Sequence, residues 1–266
     1  MNYKKNSKTS KVFSFNSFAK GFLKETFHIE SSIVKTLYAL IFKPGHLTIS
    51  YLKPSDLNYV QPLKLYFAIN LIFFLLIPIL STPQFRVFNF SIESLSANNH
   101  SYQRIIEKQI NSNNIPKIIY QERFNAHLKY NQSAFVFLVI PFFAGFLKII
   151  NFMNKRYYME HLIFSIHYVS FFLFSIFASI LVYRILTLGL KFFINVDNAI
   201  VAQIILLGLL ICNLFYLFKA SRSYSSESLI SSIVKAPIYL VGFLLILGVY
   251  VQFLFFYTVA ALKLGY

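Results

Sequence analysis

The fold is decided by the stretch YYMEHLIFSIHYVSFFLFSIFASILVYRIL, residues 157–186. From His161 onward it is long and apolar enough to cross about 30 Å of hydrocarbon at a helical rise of about 1.5 Å per residue. No alternating barrel pattern appears, and a single strand cannot span a membrane, so the stretch is predicted to be a helix. With this helix at 161–186, the other predicted spans are 63–80, 133–151, 199–218 and 236–262. We therefore predict an all-α polytopic membrane bundle of about five transmembrane helices.

The composition agrees with a membrane protein. Hydrophobic residues make up 57% of the chain, charged residues 13%, and the mean hydropathy is +0.60. An average soluble domain is about 25% charged. The apolar content excludes a disordered chain and argues against a soluble enzyme.

The charge distribution predicts an orientation. Lys and Arg number 25 against 9 Asp and Glu, a formal charge of +16. The basic residues concentrate in 1–62 and in the segments 152–160 and 219–235, so the positive-inside rule places the N-terminus in the cytoplasm and the C-terminus outside. The expected partners are membrane lipids with anionic headgroups rather than nucleic acid.

Two units are predicted along the chain. Residues 1–62 form a basic cytoplasmic segment whose amphipathic helix runs from Asn16 or Ser17 to Phe42. This helix is expected to lie at the membrane interface, and the alternative is a cytoplasmic helix packed on the bundle. Residues 63–266 form the membrane domain.

Within the membrane domain, the polar outer loop 81–132 is expected to form a small helical cap from 97–109 and 117–130. Pro141 should kink or end a helix, and Pro237 suits a first helical turn.

The predicted topology places a polar cluster at the cytoplasmic face. Its members are His28, His46, Glu160, His161 and His167. Imidazoles and carboxylates can bind a divalent metal, which makes His46, His161 and His167 the metal candidates. Glu160 and His167 share a helix face but lie about 10.5 Å apart along the axis, so such a site needs His28 or His46. In the alternative interpretation Glu160 and His161 cap and solvate the start of a helix, and His167 forms a hydrogen bond to another helix. No cofactor is predicted, and a divalent metal is the alternative.

A second polar set lies inside the spans. Its members are Asn70, Gln203, Asn213 and Gln252, all predicted to be buried. Such amides commonly form hydrogen bonds between helices, although they can also line a transport path. Arg184, near the outer end of its span, is expected to extend toward the interface.

Two stretches, 28–70 and 157–174, carry a resemblance. The first contains the turn Pro44–Gly45–His46, and the second reads EHLIFSIH over Glu160–His167. Together they resemble an uncharacterised family of bacterial integral membrane proteins, known as a domain of unknown function. The resemblance implies a multi-pass protein of the bacterial cytoplasmic (inner) membrane and supplies no activity. Members usually begin with a four-cysteine zinc ribbon, whereas Cys212 is the one cysteine here.

Three functions fit these observations. The first is a non-enzymatic protein that binds or organises lipids or partner proteins, including further copies of itself, because the face is basic and the N-terminal helix amphipathic. The alternative is a transporter or transporter subunit that uses the polar residues of the spans. The second alternative is a metal-dependent enzyme acting on lipid at the inner face.

Overall fold

The computed structural model describes residues 32–53, 59–80, 90–97, 99–113, 115–190, 197–225 and 228–264. Within these ranges the regular structure is helical and contains no strand. The helices are α1 (Ser32–Phe42), α2 (His46–Leu52), α3 (Pro62–Leu80), α4 (Ile92–Ser96), α5 (His100–Asn113), α6 (Lys117–Phe135), α7 (Val139–Ile150), α8 (Tyr158–Leu190), α9 (Asn198–Ser225) and α10 (Leu229–Lys263). A 3₁₀ turn, Val136–Leu138, joins α6 to α7.

Five helical segments are long and apolar enough to span a membrane, as the sequence predicts. They are Pro62–Leu80, Lys117–Ile150, Tyr158–Gly189, Asn198–Tyr224 and Leu229–Lys263. The all-α polytopic prediction is therefore confirmed, and the chain is a multi-pass membrane protein.

The second span begins earlier than predicted. The sequence suggested a separate cap helix over 117–130, but α6 runs into the span through the 3₁₀ turn. Although much of its surface is polar, α6 buries Tyr120, Phe124 and Leu128 at four-residue spacing, which holds it against the bundle. Pro141 has no backbone N–H to donate to the carbonyl oxygen of Phe137, four residues earlier. The 3₁₀ turn contains Phe137, so the irregular turn coincides with this missing helical hydrogen bond.

The start of α10 also differs from the expectation. Pro237 lies inside the helix rather than in its first turn. Ser228 caps the helix, because its side chain accepts a hydrogen bond from the amide of Ser231 at 3.2 Å. This cap moves the start of the helix upstream of the apolar run from which it was predicted.

Helix α8 is at the centre of the bundle. It contacts α2, α3, α7 and α9, while α10 packs on α6, α7 and α9. Half of the apolar window of α8 is buried, against 28–33% in the other four spans. The stretch that best predicts the fold is therefore also the helix around which the others pack.

Successive spans run in opposite directions, so the segments between them lie alternately at the two ends of the bundle. One end, the basic face, comprises α1, α2, the start of α3, the α7–α8 turn, the end of α9 and the start of α10. The other, the loop face, comprises α4, α5, the start of α6 and the opposite ends of the spans. At the loop face Tyr102 of α5 stacks on Phe255 of α10 with ring centroids 3.8 Å apart.

The N-terminal helix is described only in part. In α1, Ala39 and Leu40 are buried, whereas Val34 and Phe42 are exposed. Thr36 fixes the helix to the chain before α3, because its hydroxyl accepts the amide hydrogen of Val60 at 3.0 Å. The predicted part of this helix before Ser32 lies outside the described residues.

Candidate functional site

A polar cluster lies at the basic face, where α7, α8, α9 and α10 meet. We call it the inner cluster and define it as Asn151, Arg156, Glu160, His161, Tyr224, Lys235 and Tyr239. Five of its members were not among the predicted site residues: Asn151, Arg156, Tyr224, Lys235 and Tyr239.

Arg156 joins the α7–α8 turn to the end of α9. Its guanidinium forms an ion pair with Glu160 at 2.7 Å and donates to the carbonyl oxygen of Tyr224 at 2.6 Å. The guanidinium carbon also lies 4.3 Å from the centroid of the Tyr224 ring. The Glu160 carboxylate is thus fixed in place by Arg156, which is itself bonded to Tyr224.

Glu160 has a second, local role. Its other carboxylate oxygen accepts the backbone N–H of Tyr157 at 3.2 Å. This is the acidic half of a capping box, and a carboxylate in the first turn of α8 is also favoured by the helix dipole. The predicted capping role of Glu160 therefore has a geometric basis.

Asn151 connects α7 to α10. Its amide exchanges hydrogen bonds with the hydroxyl of Tyr239, and its carbonyl oxygen accepts from Lys235 Nζ at 2.8 Å. The amide also donates to the carbonyl oxygen of Leu147 at 2.9 Å. These bonds satisfy a buried side chain and position a lysine at the rim of the cluster.

His161 lies between these two networks. It is 1% exposed, and neither ring nitrogen has a hydrogen-bond partner among the described residues. Its ring meets that of Tyr224 edge-on at 5.9 Å. Beside it is a chamber of about 10 Å³, lined also by Asn151, Ser221 and Tyr239. This volume is about that of one water molecule and does not admit an organic substrate.

The remaining histidines take other partners. His167, 4% exposed, forms a hydrogen bond between Nδ1 and the hydroxyl of Thr48 at 2.9 Å. His46 Nε2 is 3.2 Å from the hydroxyl of Tyr59. Each imidazole therefore joins two segments of the chain.

A metal centre is not assembled from the predicted candidates. The described parts of the chain contain no group of three or more His, Cys, Asp or Glu side chains placed to hold one ion. His46, His161 and His167 do not form a common ligand set. His46 and His167 form hydrogen bonds with different hydroxyl groups, and His161 is buried away from both of them. His28 lies outside the described residues.

The turn before α2 explains how α2 reaches the bundle. Gly45 has a φ of 81°, in the left-handed region that favours glycine. A Cβ at this position would lie 2.8 Å from the carbonyl oxygen of Ala220 in α9. The Pro44–Gly45–His46 motif thus places α2 directly against α9 and directs Thr48 toward α8.

Of the four amides predicted to be buried, Gln203 and Gln252 are exposed on the bundle surface, and that prediction was wrong for both. Apolar composition alone does not indicate which side of a span faces the neighbouring helices. Asn213 is buried and donates to Ser175 Oγ at 3.2 Å. Asn70, partly buried, donates to the carbonyl oxygen of Ser133 at 3.2 Å.

Arg184 lies near the loop-face end of α8. Its guanidinium donates a hydrogen bond to the carbonyl oxygen of Leu80 at 2.8 Å, at the loop-face end of α3. A helix end leaves backbone acceptors unsatisfied, and a cation there is favoured by the helix dipole.

Comparison with known proteins gives one family match. A family model described as "Protein of unknown function (DUF3667)" matches residues 30–74. This range covers α1, α2 and most of α3, and it overlaps the first stretch of the resemblance. No curated protein matches the chain. Similarly, no solved structure matches it.

Proposed function

We propose that this protein is a non-enzymatic membrane protein that binds anionic phospholipid headgroups at its basic face, with that face in the cytoplasm of a bacterium and the protein in the inner membrane. The observation that carries the proposal is the imbalance of charge at this face. Its described part has one acid, Glu160, against ten basic residues: Lys35, Lys43, Lys53, Lys64, Lys148, Lys155, Arg156, Lys219, Arg222 and Lys235.

The basic residues fall into two groups. Lys148, Arg156 and Lys235 are partly buried and hydrogen-bonded to protein oxygens. The other seven are exposed, and Glu160, the acid that would compete for them, is paired with Arg156. The exposed charges at this face are therefore available to phosphate groups in the adjacent leaflet.

The loop face has a different balance. Its described part carries the acids Glu93, Glu107, Glu122 and Asp197 against the basic residues Arg104, Lys108, Lys117, Arg123, Lys129, Arg184 and Lys263. Anionic lipid should therefore prefer the basic face over the loop face.

A matched pair of triple variants tests the proposal. One replaces Lys155, Lys219 and Arg222 with glutamine, and the control replaces Lys108, Lys117 and Lys129, which are equally exposed on the loop face. Each basic residue near an anionic surface contributes about 1 kcal/mol, so the three substitutions together should weaken phosphatidylglycerol binding by roughly 100-fold at low salt.

The measurement is titration of phosphatidylglycerol against phosphatidylcholine into the protein in detergent micelles, followed by native mass spectrometry. The preference for the anionic lipid should decrease as salt increases, because exposed charges are screened. Equal losses in the two triple variants, or no anionic preference in the unaltered protein, would contradict a headgroup site at the basic face.

A further inference from the structure

A groove runs along the membrane-spanning part of the bundle, between α9 and α10 with α8 as its floor. Its volume is about 510 Å³, and Phe90 lies at its loop-face end. The floor and walls include Phe172, Ile176, Leu206, Leu210, Leu244 and Leu247.

The two polar side chains in the lining direct hydrogen bonds into the protein. Asn213 donates to the carbonyl oxygen of Leu209 at 2.9 Å as well as to Ser175. Tyr250 donates its hydroxyl hydrogen to the carbonyl oxygen of Gln132 at 2.6 Å. The surface that the groove offers to a ligand is consequently apolar.

The length of the groove follows from its lining residues. Helices α9 and α10 run in opposite directions, and Asn213 and Leu240 are the lining residues nearest the basic face on each of them. From Leu240 to Val251 the α10 wall covers about 16 Å, which is about half of the 30 Å hydrocarbon core and thus one leaflet.

Two exposed glutamines lie at the loop-face end of this groove. Gln203 of α9 lies one turn beyond Leu206, and Gln252 of α10 directly follows Val251; Leu206 and Val251 are the lining residues nearest the loop face on their helices. Gln203 lies about 20° around its helix from Leu210, and Gln252 about 40° from Gly248, and both of these neighbours line the groove. One amide therefore lies beside each lip.

Exposed amide side chains within an apolar span are unfavourable in free energy. An amide facing hydrocarbon without a hydrogen-bond partner is unfavourable, and polar groups in spans normally find partners. A ligand that presents ester oxygens at this depth would supply such partners while its chain fills the apolar groove.

We propose that the groove binds one acyl chain of a phospholipid from the loop-face leaflet, and that Gln203 and Gln252 donate hydrogen bonds to the ester oxygens at the head of that chain. The chain runs inward toward the level of Asn213. This site does not rest on the proposed function, because headgroup binding was assigned to the opposite face and depends on lipid charge.

Gly248 offers a direct test. Gly248 lines the groove and a Cβ there meets nothing within 4 Å, so Gly248→Leu directs a side chain into the groove from an open position on the helix. Gly208→Leu is the matched control, because Gly208 is exposed on α9, is equally open and does not line the groove. A second variant, Gln203→Leu/Gln252→Leu, removes the amides and places leucines on a lipid-facing surface, where the fold tolerates them.

The measurement is the affinity of the first bound phosphatidylcholine, by native mass spectrometry of the delipidated protein. Phosphatidylcholine carries no net charge, so its binding is measured separately from the binding of anionic headgroups. We expect Gly208→Leu to match the unaltered protein, Gly248→Leu to bind at least tenfold more weakly, and the double glutamine variant roughly tenfold more weakly, about threefold for each amide. An unchanged first-site affinity in either the Gly248 or the glutamine variant overturns the proposal.

Discussion

At the scale of single residues, Gly45 combines a left-handed backbone conformation with close contact to the backbone of α9. Gly45→Ala would force a Cβ to 2.8 Å from the carbonyl oxygen of Ala220 at a φ of 81°. We expect the variant to lower the free energy of unfolding by about 1–3 kcal/mol. Denaturant or thermal unfolding in detergent micelles measures it.

The control for Gly45→Ala is Gly145→Ala. Gly145 is in α7, and an added Cβ meets nothing within 4 Å. A helical glycine replaced by alanine should leave stability unchanged or raise it by about 0.5–1 kcal/mol. If the two variants have the same effect, close packing of α2 on α9 is not the reason for a glycine at position 45.

Two tyrosine hydroxyl groups at the same scale provide a matched comparison. Tyr250 donates to the carbonyl oxygen of Gln132, whereas the buried hydroxyl of Tyr224 has no partner among the described residues. Tyr250→Phe should therefore reduce stability by about 1 kcal/mol, and Tyr224→Phe should be neutral or stabilising, as measured by thermal unfolding. A comparable loss in Tyr224→Phe would mean that its hydroxyl has a partner in the chamber beside His161.

At the scale of helices, the bond between Thr48 and His167 joins α2 to α8. The two side chains are 2.9 Å apart, and both are buried. A double-mutant cycle with Thr48→Val and His167→Phe should give a coupling of about 0.5–1.5 kcal/mol in unfolding free energy. Additive effects of the two substitutions would show that the bond contributes nothing, and that His167 acts through packing alone.

The helices show what sequence can predict and where it stops. The five spans were predictable because length and apolar composition are local properties of the chain. Thr48 and His167 are 119 residues apart in sequence, so neither the bond nor its geometry could be derived from local spacing. The buried Tyr120, Phe124 and Leu128 did carry a helical signal, but the polar surface of α6 obscured its continuity with the span.

The same limit applies to the inner cluster. Glu160 and His161 were predicted as site residues because the predicted topology places them at the cytoplasmic face. Asn151 and Tyr239 were missed, since their roles depend on the packing of α7 against α10. A buried amide bonded at once to a tyrosine and a lysine becomes evident only when the two helices are placed together.

At the scale of the whole molecule, the distribution of charge predicts an orientation. Ten basic residues face one acid at the basic face, whereas seven face four at the loop face, within the described ranges. Basic residues in short loops resist translocation, so the basic face should remain in the cytoplasm. A cysteine at Lys155 and one at Asn111 of α5 sample the two faces, because both positions are exposed.

In a Cys212→Ser background, the Lys155→Cys protein in intact cells should resist a membrane-impermeant thiol reagent and react only after lysis. The Asn111→Cys protein should react in both conditions if the reagent reaches the periplasm. Cys212 is replaced because it is exposed on the surface of α9 and would otherwise contribute to labelling. The reverse pattern would place the basic face outside, and the lipid preferences proposed for the two leaflets would then exchange sides without any change in the bundle itself.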